Sequence, residues 1–233
     1  MSFSPSKYLD NFLHLFFPHN CEGCGTDTIS DAHFLCAKCL HRLPETHFFS
    51  SPANPIEKLF YGRLPVTHAA TAWYFTKDSL LQHLLIQLKY KGNKEAGYFL
   101  GRMMGYLLMK ADRFHDIDVL VPLPLNEKKA YIRGYNQAAL ICKGIAEIWH
   151  LPVLENAVMR TKFTETQTHQ NRTSRWQNME GVFAVTDIPA LQNKHILLID
   201  DVITTGATLE ACGSVILGVE GVVLSIAAAA YTI

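Results

Sequence analysis

Residues 194–209 read Lys-His-Ile-Leu-Leu-Ile-Asp-Asp-Val-Ile-Thr-Thr-Gly-Ala-Thr-Leu, and no other stretch concentrates so many groups able to bind a small anionic ligand. An apolar run, Ile196 to Ile199, delivers the adjacent carboxylates Asp200 and Asp201. A small hydroxylated turn follows, Thr204-Thr205-Gly206-Ala207-Thr208, and then a helical pattern with Leu209, Cys212 and Ile216 on one face. A tight turn that opens a helix after a buried strand is an anion site, because free backbone N–H groups and the positive end of the helix dipole both face the ligand. Two carboxylates beside such a site would repel a bare phosphate. They make sense if the ligand also carries a diol or a divalent cation for them to hold. A ribose 5-phosphate meets both demands. The competing readings are an exposed acidic turn before a capped helix, and a Walker B strand. The latter needs a G-x-x-x-x-G-K-[ST] loop, which the chain lacks.

A second constellation is Cys21-x-x-Cys24 and Cys36-x-x-Cys39, with eleven residues between the pairs. Each C-x-x-C can place two thiolates on one metal ion, and the two together supply a tetrahedral set. Gly23 and Gly25 suit the tight first knuckle. Four protein ligands leave no open position, so this Zn2+ is expected to be structural. The alternatives are a pair of disulfides, which needs an oxidising compartment, or replacement of one cysteine by His33 or His41. Cys142 and Cys212 sit in helical patterns and read as small core residues.

Two further stretches carry polar groups. The loop Pro122-Leu-Pro-Leu-Asn-Glu-Lys-Lys-Ala-Tyr-Ile-Arg133-Gly-Tyr-Asn-Gln137 places Lys128, Lys129 and Arg133 near the end of a short strand. It is either a solvated basic loop or, beside a phosphosugar site, a clamp for pyrophosphate. Residues 160–183 are long, polar and poorly periodic, with Gln167, Arg172, Arg175 and Asn178. That reads as a lid bringing cations to a leaving group, or as a surface loop.

The elements that must position these groups follow from periodicity. The stretch 67–75 is strand-like, a helix runs from Asp78 through Lys89, and another covers about 95–110. Residues 118–122 form a short buried strand and a helix follows from Asn136 to Trp149; 182–185, 196–199 and 222–228 are further strands. Strands alternating with helices, apolar on both faces, predict an α/β fold with a parallel sheet. Ligands in such sheets sit at the carboxyl ends of strands. The predicted organisation is an N-terminal helix and zinc ribbon over residues 1–48, a proline-bearing linker over 49–65, and the α/β domain over 66–233.

Composition excludes some classes. Lys and Arg total 21 against 21 Asp and Glu, so nucleic-acid binding would need a local patch. Lys89, Lys91 and Lys94 near Tyr90 and Tyr98 form one such cluster, readable equally as a solvated helix end. No apolar stretch is long enough to span a bilayer, so membrane insertion is not expected. The apolar Phe12–Phe17 run is interrupted by His14 and followed by Pro18, which argues against a signal peptide. A cytoplasmic location is the default expectation.

Residues 194–209 resemble the 5-phosphoribosyl-1-pyrophosphate (PRPP) motif of type I phosphoribosyltransferases. The resemblance implies that Asp200 and Asp201 hold the ribose hydroxyls, and that Thr204, Thr205, Gly206, Ala207 and Thr208 cradle the 5-phosphate. Taken with the four-cysteine ribbon, Lys89-Tyr-Lys91-Gly92, the Val-Pro-Leu-Pro loop with Arg133-Gly-Tyr-Asn-Gln137, and the Gln167…Arg172-x-x-Arg175-x-x-Asn178-x-x-Gly181-x-Phe183 stretch, the chain resembles the ComF family from about Phe17 to Ala230. Members of that family are phosphoribosyltransferase-like proteins linked to bacterial DNA uptake. The chain departs from the family pattern at His169-Gln170-Asn171, Trp176 and Gln177.

The resemblance implies a type I phosphoribosyltransferase-like parallel sheet flanked by helices, plus a small zinc ribbon. It implies Mg2+ with PRPP, and displacement of pyrophosphate at ribose C1 if the protein is catalytic. Arg133, Lys128, Arg172 and Arg175 would then stabilise the leaving group. Other implied roles are a non-catalytic PRPP- or nucleotide-sensing module, a binder of single-stranded DNA, and an adaptor for a competence helicase or another DNA-uptake protein.

Overall fold

The computed structural model describes residues 20–27, 34–161 and 182–232, with only the backbone at 127–129. Its strands are β1 (Ala69–Phe75), β2 (Val119–Pro122), β3 (Val158–Arg160), β4 (Phe183–Val185), β5 (His195–Ile203) and β6 (Val223–Thr232). Its helices are α1 (Ala37–Leu40), α2 (Pro55–Phe60), α3 (Leu80–Tyr90), α4 (Lys94–Met109), α5 (Glu127–Arg133), α6 (Gln137–Trp149), α7 (Ile188–Leu191) and α8 (Ala207–Leu217). Runs of apolar residues make β1, β6, β5 and β2 pair in that order, every pair parallel. Ile196 through Ile199 on β5 and Ile226 through Ala230 on β6 are fully buried, as strands covered on both faces must be. The expected parallel sheet flanked by helices is therefore present.

The long helices α3, α4 and α6 each start where a polar side chain accepts a backbone N–H: Ser79 for α3, Asn93 for α4 and Asn136 for α6. Leu81, Leu84, Leu85 and Leu88 form the buried face of α3, matching the spacing seen in the sequence. The helices α4 and α6 approach closely because both are glycine at the crossing. A Cβ on Gly101 would stand 2.2 Å from the Ile141 carbonyl oxygen, and one on Gly144 would stand 2.3 Å from that of Tyr98. Backbone cannot yield as a flexible side chain can. Gly101→Ala should therefore lose about 3 kcal/mol of unfolding free energy, read as a lower urea midpoint; an unchanged midpoint would contradict this packing.

Three local expectations differ from the structure. Residues 49–65, expected to be a linker, contain α2, whose Ile56 and Phe60 are fully buried. Pro55 is the first helical residue there, where its missing N–H is harmless. The side chain of Asn54 caps α2 by accepting from Ile56 and Glu57, while its amide donates to the Ala69 carbonyl at 2.9 Å. The basic loop before Arg133 contains α5, ended by Gly134 at φ 73°, whose N–H donates to the Ala130 carbonyl. The strand at 182–185 does not join the parallel sheet: β4 pairs antiparallel with β3. This two-stranded ribbon flanks residues 162–181, so the expected lid lies outside the described residues, as does the expected helix before residue 20. No helix among the described residues is long and apolar enough to cross a membrane.

Candidate functional site

The strand β5 carries Asp200 and Asp201 on its carboxyl-terminal part, both half-buried, and the turn to α8 follows directly. The turn needs Gly206 on two grounds. Its φ is 72°, and a Cβ there would lie 3.1 Å from Leu59 and Phe60 of α2. Arg63 fastens the turn from outside: its Nη1 donates to the Thr205 carbonyl at 3.0 Å, and its Nε donates to Glu210 of α8 at 3.1 Å. Unlike α3, α4 and α6, the eleven-residue α8 has no side-chain cap. Its first-turn N–H groups thus open toward a small pocket lined by Asp200, Val202 and the run from Ile203 to Leu209.

Asp200 and Thr208 also line a larger cleft of about 180 Å³. Its other walls are Lys89 from α3, residues 123–126 after β2, Arg133 from α5, Asn136, Gln137 and Ala138 at the start of α6, and Arg160 from β3. Lys89 Nζ stands 2.9 Å from Asp201 Oδ2, with side chains 21% and 13% exposed. The Asp200 carboxylate accepts the N–H of Asp201 at 2.7 Å. Arg133 lies over the Tyr90 ring at 5.5 Å and donates through Nη1 to Gln137 Oε1 at 2.9 Å. Arginine offers only donors, so this bond fixes the amide orientation of Gln137. Gln137 is 2% exposed, and its Nε2 has no partner. A buried donor left unmatched calls for an acceptor, which a ligand oxygen or an ordered water can supply. Lys89, Arg133 and Arg160 bring three positive charges against the two of Asp200 and Asp201, a balance suited to a ligand with more than one anionic group.

The structure thus gathers Asp200, Asp201, Arg133 and Thr208 into one cleft, and Thr204, Thr205, Gly206 and Ala207 into the adjoining pocket. Lys128 lies in α5, but its side chain is not among those described; Arg172 and Arg175 fall outside the described residues. Arg160 lines the cleft without having been anticipated. Its only sequence signal is a place at the end of a three-residue strand. The Lys89–Lys94 cluster is divided, with Lys89 turned into the cleft and Lys94 lying over the Tyr135 ring at 5.5 Å.

The cysteines form a separate centre. The sulfurs of Cys21, Cys24, Cys36 and Cys39 all lie within 4.8 Å of one another, and those of Cys24 and Cys36 are 3.7 Å apart. A tetrahedron built on Zn–S bonds of about 2.3 Å has edges of about 3.8 Å, so the set fits a structural ion such as zinc. Burial raises the Cys21 thiol, yet N–H groups of Cys36 and Gly23 pointing at its sulfur bring it down to about 6. Burial and the neighbouring thiols push Cys39 up to about 12. Burial likewise pushes the Cys142 and Cys212 thiols up, as expected for core cysteines.

The chain is similar in sequence to several known proteins. DNA utilization protein YhgH of Escherichia coli (strain K12) is 29% identical over 200 residues, covering 84% of this chain and 83% of that protein. Competence protein F of Haemophilus influenzae is 31% identical over 146 residues, 60% of this chain and 64% of that protein. Competence protein ComFC of Bacillus subtilis is 35% identical over 91 residues, 39% of this chain and 35% of that protein. Among solved structures, a glutamine PRPP amidotransferase from B. subtilis, complexed with ADP and GMP, aligns with a TM-score of 0.41 at 17% identity. The match spans 57% of this chain and 26% of the amidotransferase. No family model matches the chain.

Proposed function

We propose that the chain is a ComF-family, phosphoribosyltransferase-like protein whose cleft binds PRPP and displaces pyrophosphate at ribose C1 in the service of bacterial DNA uptake. One observation carries the reading: an acid pair and a helix N-terminus without a side-chain cap open onto adjoining pockets, one of which Lys89, Arg133 and Arg160 also line. Asp200 and Asp201 accept from the ribose hydroxyls and orient the ring. The turn from Thr204 to Thr208 receives the 5-phosphate.

As the C1–O bond to pyrophosphate breaks, its electron pair leaves with the pyrophosphate, and an incoming nucleophile bonds to C1. Positive charge grows on the ring while the leaving group carries negative charge away. Arg133, with Lys128, Arg172 and Arg175, stabilises that departing charge. Mg2+, if bound, would be held by Asp200 and Asp201 and would supply Lewis-acid polarisation. Incubating the protein with PRPP, Mg2+ and a panel of nucleobases and amines tests catalysis. Pyrophosphate release that requires both the protein and one acceptor is expected; no release with any acceptor contradicts it.

A second reading rests on the rim. Tyr90 is 70% exposed, has Arg133 over its ring and is followed by the exposed Lys91. Stacking rings beside cations suit single-stranded DNA, and the relatives' names point to DNA utilization and competence. In this reading the cleft senses PRPP without turnover. Binding to single strands would then weaken with salt at a log–log slope of roughly −0.7 per phosphate contact; a flat dependence removes DNA from the account.

A further inference from the structure

The proposed function leaves Lys89 without a role, yet Lys89 forms an ion pair with Asp201. It sits on the last turn of α3, whose position is set by the buried Leu84, Leu85 and Leu88. Its ammonium lies 2.9 Å from Asp201 Oδ2, in a cleft that both residues line. A ribose hydroxyl that bonds to Asp201 at Oδ2, as the reading above allows, takes the place that Lys89 holds.

The lysine has somewhere to go. Its four-carbon stem is flexible and its charge is compact, so it can follow a displaced anion without movement of the helix. The same cleft holds Arg133, oriented by Gln137 Oε1, and the unpartnered Gln137 Nε2. These donors mark a second place for ligand oxygens, apart from the turn that opens α8.

We propose that Lys89 is an exchangeable counterion, paired with Asp201 and passing to the anionic group at C1 of the sugar when the ligand binds. The proposal rests on the PRPP reading and adds a source of discrimination to it. A ligand with both a hydroxyl for Asp201 and an anion for Lys89 completes the exchange. A sugar phosphate without the anion must compete with Lys89 for Asp201 and receives nothing in return. Leaving either member of the partly buried pair without a counter-charge is unfavourable, so the two movements are coupled.

The test is a titration of wild type, Lys89→Met and Lys89→Arg with PRPP and with ribose 5-phosphate. Lys89→Met keeps the apolar stem and removes the charge. It should weaken PRPP about ten- to a hundredfold, as loss of a charge-assisted contact does. Ribose 5-phosphate, relieved of competition with Lys89 for Asp201, should bind no more weakly and at most about fivefold more tightly, and Lys89→Arg should recover part of the PRPP loss.

A lysine that serves only to neutralise Asp201 would give equal changes for both ligands, or none. Either result overturns the proposal and leaves the PRPP reading standing. A wild type that binds neither ligand overturns both. Should the variants fold poorly, nitrogen NMR of lysine-labelled wild type gives the same decision. The Lys89 Nζ resonance should move with PRPP and stay with ribose 5-phosphate; a resonance indifferent to PRPP overturns the exchange.

Discussion

Replacing Asp200 and Asp201 together by asparagine should weaken PRPP binding at least about a hundredfold, since each carboxylate loses a charged hydrogen bond worth about 1.5–3 kcal/mol. Folding should survive. Both residues are half-buried on the carboxyl-terminal part of β5, and that strand is held by the fully buried Ile196–Ile199 and by parallel pairing on both sides. The side effect is on Lys89, which loses its partner but remains 21% exposed and can turn to water. That should lower stability by no more than about 1 kcal/mol, the range of a solvent-reachable pair. A folded double mutant with wild-type PRPP affinity would refute the assignment of these residues to the sugar.

Removing the metal should produce the largest change in stability. A structural zinc contributes on the order of 10 kcal/mol of apparent folding energy to a small module. Cys21 and Cys39 face the core, and a Cβ on Gly23 would meet both the Cys39 sulfur and Leu80 at 2.9 Å. Losing the ion therefore disturbs the first turn of α3 as well as the knuckles. Elemental analysis should find about one zinc per chain, and chelation or Cys39→Ser should melt the segment around residues 20–43. The far-UV signal of the parallel sheet should remain, because β5 and β6 pair through residues far from the cysteines. Metal-free native protein with an unchanged melting curve would contradict the zinc centre.

Both centres were legible in the sequence because their residues are near neighbours along the chain. Asp200 through Thr208 and the paired C-x-x-C motifs need only a strand, a turn and two knuckles to come together. The sheet was legible too, since β5 and β6 are apolar enough to require cover on both faces. What escaped reading depends on partners distant in sequence. Pro55 looks like a breaker until Asn54 is seen capping α2 and reaching back to Ala69. Arg160 gains meaning only when β3 brings it to a cleft formed by residues 89, 133 and 200. Lys89 stood out as part of a basic cluster, but the sequence does not show that its ammonium meets Asp201 while its neighbours Tyr90 and Lys91 stay exposed.

The measurement that tests the central claim most directly is calorimetric titration of the metal-loaded protein with PRPP, with and without Mg2+. The account predicts saturable binding to a single site, strengthened by Mg2+ and weakened by the Asp200→Asn, Asp201→Asn pair. A folded protein that gives no saturable heat under either condition would contradict the assignment of this cleft to a phosphosugar.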